Sequence, residues 1–259
     1  MVRIVPCPST TVFDLPTPGS FDTVPHEHAT TSKPTPRVEV VLDWANFESG
    51  LRGYGPVTVS WVELIKALVV DFAQRAGLCP GLDKQGDDYS AAGQELDASV
   101  WCVATCPSNV HPDDSRHQLG RRRFLKKLES EYGFSVVSVP VDFHGFHVTG
   151  ADRRQSPLEA ERTWSLEGKG CDTAVAVTLL CRALSQPQPD GIIFVTGDAD
   201  GAPALHAVAR SRPSIPTTVA AFAGSLSSVY RKGNPAGYQW RFGPILLDHL
   251  VAQIERRCA

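Results

Sequence analysis

The chain has 259 residues, of which 42% are hydrophobic and 20% are charged, and its formal net charge is -3 at pH 7. This length and composition predict one globular domain with extensions. The slight negative charge excludes a uniformly basic nucleic-acid-binding protein, although it is compatible with a local basic patch.

The sequence has no apolar stretch close to the roughly 18 residues that a membrane span requires, and its N-terminus lacks the pattern of a secretion signal. We therefore predict a cytoplasmic protein without a membrane partner. The cysteine count of seven is odd, and four cysteines lie in apolar or helical patterns, which predicts reduced, buried thiols. These four are Cys102, Cys106, Cys171 and Cys181.

Residues 1–36 are rich in Pro, Thr and Ser without a sustained period, which predicts a disordered or loosely draped tail. The folded domain is expected to span residues 37–259. Its first strand is predicted at Val38–Asp43, a short apolar run typical of a buried parallel strand. A helix is predicted at Val59–Arg75, because apolar residues recur there at helical spacing.

The middle of the chain contains two expected insertions. Residues 77–98 are rich in Gly and Asp and predict a long surface loop. A second strand is predicted at Ser99–Thr105, a helix from Asp113 to about Tyr132, and a third strand at Phe134–Phe143. Residues 144–170 lack a clear period, and we interpret them as the second insertion.

The last third of the sequence continues to alternate between helix and strand. A largely buried helix is predicted at Asp172–Leu184, strands at Gly191–Thr196 and Thr217–Phe222, and helices at Ala202–Arg210 and Pro244–Arg257. Strands that alternate with helices predict an α/β fold in which a parallel sheet lies between layers of helices.

Four acidic residues stand where a predicted strand ends or a helix begins: Asp43, Asp172, Asp198 and Asp200. Ligands of open parallel sheets bind at the carboxyl ends of the strands, so these side chains converge if the first and fourth strands are neighbours. Two carboxylates about 4 Å apart repel by about 4 kcal/mol at an effective dielectric of 20, so such a cluster calls for a cation. Oxygen ligands favour Mg²⁺ or Mn²⁺.

Each acid also has a purely structural interpretation. Asp43 suits the cap of a turn, and Asp172 suits an N-cap or the first turn of a helix. Asp198, after Gly197, suits ordinary turn chemistry. For each residue taken singly, the sequence leaves both interpretations open.

Three segments together resemble the signature stretches of the NYN family, which are PIN-like metal-dependent ribonucleases. They are Asp43-Trp-Ala-Asn46, Lys169-Gly-Cys-Asp172 and Thr196-Gly-Asp198-Ala-Asp200, and the similarity covers roughly residues 38–222 in the order of the family. The resemblance implies a three-layer PIN-like domain whose central sheet has about five parallel strands in the order 3-2-1-4-5.

The resemblance also implies roles for individual residues. Asp43, Asp172, Asp198 and Asp200 would hold Mg²⁺ or Mn²⁺ and support hydrolysis of RNA, most naturally single-stranded RNA. Asn46 and Thr196 would orient the ligands or the phosphate, and Lys169 would contact the substrate.

A cationic cluster follows the second predicted strand, on the helix that contains Arg121, Arg122, Arg123, Lys126 and Lys127. If it faces the pocket, it would contact phosphates of the RNA. Otherwise it is a solvated helix face. His117, near the start of the same helix, is a candidate proton donor or phosphate contact, with a plain surface role as the alternative.

Two positions depart from the family pattern. Thr178 stands where the family often has a further acid, which predicts weaker metal binding or a single-metal site. Gly201 replaces an aromatic residue, which predicts a more open pocket floor. The alternative function is therefore a catalytically weak or inactive PIN-like module that binds RNA or protein, and a homodimer or a regulatory protein partner is compatible with either. A small-molecule phosphohydrolase is disfavoured, because Asp43 does not begin an Asp-x-Asp pair.

Overall fold

The structure is a computed structural model that describes residues 2–5, 35–56, 59–79, 95–107, 115–141, 170–231, 237–238 and 240–258, with the backbone alone described at 107, 115–118, 141 and 257–258. Most of the predicted tail and most of both predicted insertions lie outside these residues. Lys169 and the side chain of His117 lie outside them as well.

Within the described ranges, seven strands form one sheet, and every pairing in it is parallel. They are β1 (Val2–Ile4), β2 (Arg37–Asp43), β3 (Leu96–Pro107), β4 (Ser135–Val141), β5 (Gly191–Val195), β6 (Thr217–Ala221) and β7 (Ile245–Leu246). Neighbouring strands run β1-β3-β2-β5-β6-β7, and β4 pairs with the second half of β3. The predicted α/β class with a parallel sheet is confirmed.

The five predicted strands pair in the predicted order 3-2-1-4-5, as β4-β3-β2-β5-β6, but two short strands extend the sheet, so its strand count and full order differ from the prediction. Val2–Ile4 pairs with Leu96–Ala98, so the prediction of an unstructured tail over 1–36 fails at its first residues. Ile245–Leu246 pairs with the end of β6, at a position where we predicted the terminal helix to have begun. Both strands are too short to show a period of their own.

Six helices lie along the described chain: α1 (Trp44–Tyr54), α2 (Trp61–Ala76), α3 (Ser115–Tyr132), α4 (Cys171–Ala183), α5 (Ala202–Ser211) and α6 (Leu247–Cys258). Side chains of β2 alternate between two hydrophobic cores, one on each face of the sheet. Val40 and Leu42 pack with α1, α2, α3 and α6, whereas Val41 packs with α4 and α5. In the part of the chain that the structure describes, no helix is long and apolar enough to cross a bilayer.

A buried ionisable group, Glu39, lies in β2 at the end of the sheet opposite Asp43. Its side chain accepts a 2.7 Å hydrogen bond from the indole N–H of Trp101, and Arg37 Nε lies 3.6 Å from its other oxygen. The guanidinium of Arg182 lies 4.0 Å from the centre of the Trp101 ring. Burial raises the pKa of Glu39, although the Trp101 hydrogen bond and the charges of Arg37 and Arg182 lower it.

We expect Glu39→Gln to change how stability depends on pH. Because the pKa of Glu39 is raised on folding, the folded state binds the proton more tightly. Glu39 therefore lowers stability as the pH rises from the unfolded pKa through the folded pKa. The unfolding free energy of the variant minus that of the parent should become more positive over this window, as measured by urea unfolding at several pH values. A constant difference would contradict this prediction.

Candidate active site

The carboxyl ends of β2 and β5 lie side by side at the point where the strand order reverses. The two strands pair from Val38 with Gly191 to Leu42 with Val195, while β3 pairs with β2 on its other side. Asp43 is the last residue of β2, and Thr196 directly follows β5. Ligand sites of open α/β sheets form at such a reversal, so this edge is the natural place for a pocket.

Asp43 is nearly buried and is held on both carboxylate oxygens. The residue is 7% exposed. Oδ1 accepts a 3.2 Å hydrogen bond from the backbone N–H of Asn46, which makes Asp43 the N-cap of α1. Oδ2 accepts a 3.2 Å hydrogen bond from the hydroxyl of Thr196. These bonds fix the carboxylate between the two strands.

The segment after β5 is tied to α1 through Asn46. The side-chain oxygen of Asn46 accepts a 2.8 Å hydrogen bond from the N–H of Gly197. The Thr196 hydroxyl oxygen in turn accepts a 3.2 Å bond from the N–H of Asp198, and Asp198 Oδ1 accepts a 3.2 Å bond from the N–H of Asp200. Asn46 and Thr196 therefore position the loop that carries Asp198 and Asp200.

Gly197 is the tightest point of this loop. A Cβ atom at this position would lie 2.1 Å from the backbone oxygen of Ser225. Ser227 also donates its N–H to the carbonyl oxygen of Gly197 at 2.9 Å. The segment after β6 thus packs directly against the backbone between Thr196 and Asp198, and only glycine fits there.

Asp172 reaches the same edge from the other face of the sheet. It lies in the first turn of α4, which begins after Gly170 with a positive φ of 98°. Its side chain is exposed. Partial burial raises the pKa of Asp172, and the charges of Asp198 and Asp200 raise it further. Asp172 is therefore close enough to Asp198 and Asp200 for their charges to affect it.

The carboxylates destabilise one another's ionised forms. Burial raises the pKa of Asp43, as do the charges of Asp172 and Asp198, whereas the hydrogen bonds from Asn46 and Thr196 lower it. A cation at this edge would relieve the repulsion. The described residues contain no group of three or more His, Cys, Asp or Glu side chains already placed to hold a metal ion. The donor chemistry fits Mg²⁺ or Mn²⁺, and Asp172, Asp198 and Asp200 are exposed.

The structural roles considered for these acids are also present. Asp43 caps α1, Asp172 lies in the first turn of α4, and Asp198 caps a short 3₁₀ turn at Ala199–Gly201. Capping explains where each residue lies on its own element. Because helices that follow parallel strands begin at the carboxyl edge, capping also places these acids at one edge, but it does not explain why carboxylates with raised pKa values, such as Asp43 and Asp172, occupy it.

The predicted substrate contacts are distributed unevenly. Arg121 on α3 donates from Nε to the Thr105 carbonyl at 3.0 Å and from a terminal nitrogen to the Thr105 hydroxyl at 3.3 Å. It also lies 3.5 Å from a carboxylate oxygen of Glu48. Its guanidinium is thus anchored near the end of β3, and the neighbouring Arg122 is half-buried. Contacts of Lys169 and His117 with substrate stay predictions.

The two departures from the family pattern look different in three dimensions. Thr178 is fully buried, and its hydroxyl donates a 2.7 Å hydrogen bond to the Ala174 carbonyl within α4. An acid at that position would enter the hydrophobic core. The expectation that Gly201 opens the pocket floor was wrong: a Cβ atom there would lie 2.5 Å from Phe194 and 3.2 Å from the Tyr230 hydroxyl.

Tyr230 is a site residue that the sequence analysis missed. Its hydroxyl donates a 2.6 Å hydrogen bond to the carbonyl oxygen of Asp198. Burial raises the pKa of Tyr230, and the charges of Asp198, Asp43 and Asp200 add to this effect. The available signal was an aromatic residue beyond the fifth predicted strand, in a stretch to which we assigned no element.

Comparison with known proteins provides no family. No family model matches the chain, and no curated protein matches it. Among solved structures, the chain is similar to the crystal structure of a protein of unknown function from Vibrio parahaemolyticus, with 15% sequence identity and a TM-score of 0.39. That similarity covers 76% of this chain and 88% of the other.

Proposed function

We propose that the protein is a divalent-metal-dependent ribonuclease that hydrolyses phosphodiester bonds of single-stranded RNA at the carboxyl edge of β2 and β5. The observation that carries the proposal is the arrangement of Asp43, Asp172, Asp198 and Asp200. Burial and mutual repulsion raise the pKa of Asp43 and of Asp172, which is unfavourable for folding alone. Such a cluster is typical of a site that holds a cation.

In this proposal the acids hold Mg²⁺ or Mn²⁺, and Asn46 and Thr196 keep the Asp198 loop against Asp43. A bound divalent ion supplies a water molecule of lowered pKa and neutralises charge on the scissile phosphate. Cys171, beside Asp172, is a poor nucleophile, because burial raises its pKa to about 11 and its thiol is protonated at neutral pH. In the proposed mechanism, a water molecule at the acids is the attacking group.

RNA as the substrate rests on the resemblance of the three signature segments to the NYN family. The exposed cations of α3, Arg123, Lys126 and Lys127, supply a face to which phosphates are attracted. Arg121 is anchored to Thr105, near the end of β3, and to Glu48. A homodimer or a regulatory protein partner stays a prediction.

The second candidate function is an inactive module that binds RNA or protein. Thr178 favoured this alternative, because it replaces a family acid. Its burial weakens that reasoning, since a side chain inside the α4 core does not contribute a ligand at the strand ends.

We expect purified protein to cleave end-labelled single-stranded RNA in Mn²⁺ or Mg²⁺ and to lose this activity fully in EDTA. Denaturing gels measure the products, and calorimetric titration with Mn²⁺ measures metal binding independently of cleavage. RNA binding without cleavage in either metal would favour the binding module. Cleavage that continues in EDTA would refute the proposed role of the acids.

A further inference from the structure

Three side chains form an aromatic cluster beyond the acidic edge: His206 on α5, and Tyr238 and Trp240 after β6. The ring centroid of His206 lies 4.8 Å from that of Tyr238 and 6.3 Å from that of Trp240, and the last two are 5.5 Å apart. All three residues are half-buried. We refer to these three residues as the aromatic platform.

The platform adjoins the acids through Tyr230. The ring of Trp240 lies 5.8 Å from that of Tyr230, whose hydroxyl bonds the Asp198 carbonyl at 2.6 Å. Besides burial, the charges of Asp198 and of Tyr238 both raise the pKa of Tyr230, so the acidic loop and the platform lie within reach of one hydroxyl. Tyr230 therefore contacts both the platform, through Trp240, and the acidic loop, through Asp198.

The platform has features that hydrophobic packing alone does not explain. His206 Nδ1 is buried and has no hydrogen-bond partner, although buried polar atoms in proteins are normally paired. Arg231 directly follows Tyr230 and Arg241 directly follows Trp240, and both side chains are exposed. Flat rings combined with exposed cations are the usual composition of a surface that binds single-stranded nucleic acid.

We propose that His206, Tyr238 and Trp240 stack the bases of a single-stranded nucleic acid whose backbone crosses the acidic edge. This inference rests on the proposed function, because it assigns a substrate path to the same site. Arg121 lies near the end of β3 on α3, which packs on one face of the sheet, whereas the platform packs against the core on the other face. The strand would therefore cross the carboxyl edge from one face to the other, with phosphates near Arg121 and bases on the platform.

Duplex substrates do not fit this path, because paired bases are stacked on one another and do not present free faces. The platform thus selects unpaired segments through stacking, with little dependence on sequence, since every base has an aromatic face.

The test measures binding by fluorescence anisotropy in EDTA, where the proposed cleavage does not occur. The probes are a single-stranded RNA of about 12 nucleotides and an abasic oligonucleotide of equal length and charge. Tyr238→Leu and His206→Leu remove flat rings and retain apolar volume. Tyr54→Leu is the matched control, because Tyr54 is the last residue of α1 and packs on Phe222, on the face of the sheet opposite α5. Circular dichroism confirms that each variant is folded.

We expect Tyr238→Leu and His206→Leu each to weaken binding of the RNA by about 10-fold and to leave binding of the abasic probe unchanged. Tyr54→Leu should change neither. Equal losses for both probes, no loss for either, or no binding of the RNA at about 100 μM protein would overturn the platform. In the last case, base-independent packing or a peptide ligand explains the rings.

The two proposals fail separately. Base-dependent binding in a protein that does not cleave RNA overturns the ribonuclease and retains the platform. Metal-dependent cleavage with no difference between the two probes overturns the platform and retains the ribonuclease.

Discussion

Asp43→Asn is expected to lower the rate of RNA cleavage in Mn²⁺ at least about 100-fold while the protein stays folded. Asp43 is the acid with the least freedom, held by Asn46 on one oxygen and Thr196 on the other. An asparagine side chain retains both hydrogen bonds, accepting from the Asn46 N–H and donating to the Thr196 hydroxyl. It removes only the negative charge that the proposed metal site requires.

The same substitution, Asp43→Asn, should not lower the stability of the protein. Because the pKa of Asp43 is raised on folding, its ionised form is disfavoured in the folded state, and removing the charge leaves the melting temperature unchanged or higher. Asp97→Asn is the matched control: Asp97 lies at the other end of the sheet, where it forms an ion pair with Arg3 at 3.0 Å. Cleavage by Asp43→Asn at the parent rate would remove Asp43 from the mechanism.

Gly197→Ala is expected to destabilise the protein by about 3 kcal/mol, which lowers the melting temperature by roughly 6 to 12 °C. The added Cβ atom would lie 2.1 Å from the Ser225 carbonyl oxygen, and backbone atoms on both sides would have to move. The movement would also displace Asp198, whose N–H bonds Thr196, so cleavage should fall with stability. Differential scanning calorimetry and the RNA assay measure the two effects.

Gly53→Ala supplies the same substitution in a permissive place. Gly53 is exposed in α1, with an ordinary φ, and nothing lies within 4 Å of an added Cβ atom. Alanine should stabilise this helix by up to about 0.5 kcal/mol. Similar melting temperatures for the two variants would show that the Ser225 contact relaxes without cost.

The central strands were predictable because buried parallel strands are continuous apolar runs. Val38–Leu42 and Ile192–Val195 contain almost no polar side chain, and turn or acidic residues bound them. The location of the acids was predictable from the same runs, because the carboxyl ends of parallel strands lie at one edge of the sheet. Their neighbour relation came from the family resemblance, and the β2–β5 pairing places them together.

Other elements depend on information that the local sequence does not contain. We did not predict α1, because Gly50 and Gly53 interrupt its helical pattern. Gly50 is required by packing, since a Cβ atom there would lie 2.8 Å from Phe222. β1 is three residues long and forms only by pairing with Leu96–Ala98, far along the chain. Tyr230 was missed similarly, because its hydroxyl meets the acidic loop 32 residues away.

The pairing of β2 with β5 also determines when the site exists during folding. Asp43 and Thr196 lie 153 residues apart along the chain, and both β3 and β4 lie between them in sequence. Contacts of such long range form slowly and late, because closing a long loop costs chain entropy. A growing chain that ends before β5 therefore carries Asp43 and Asp172 without the loop that completes the set. If the proposed ribonuclease activity is present, we therefore expect it only in the nearly complete fold.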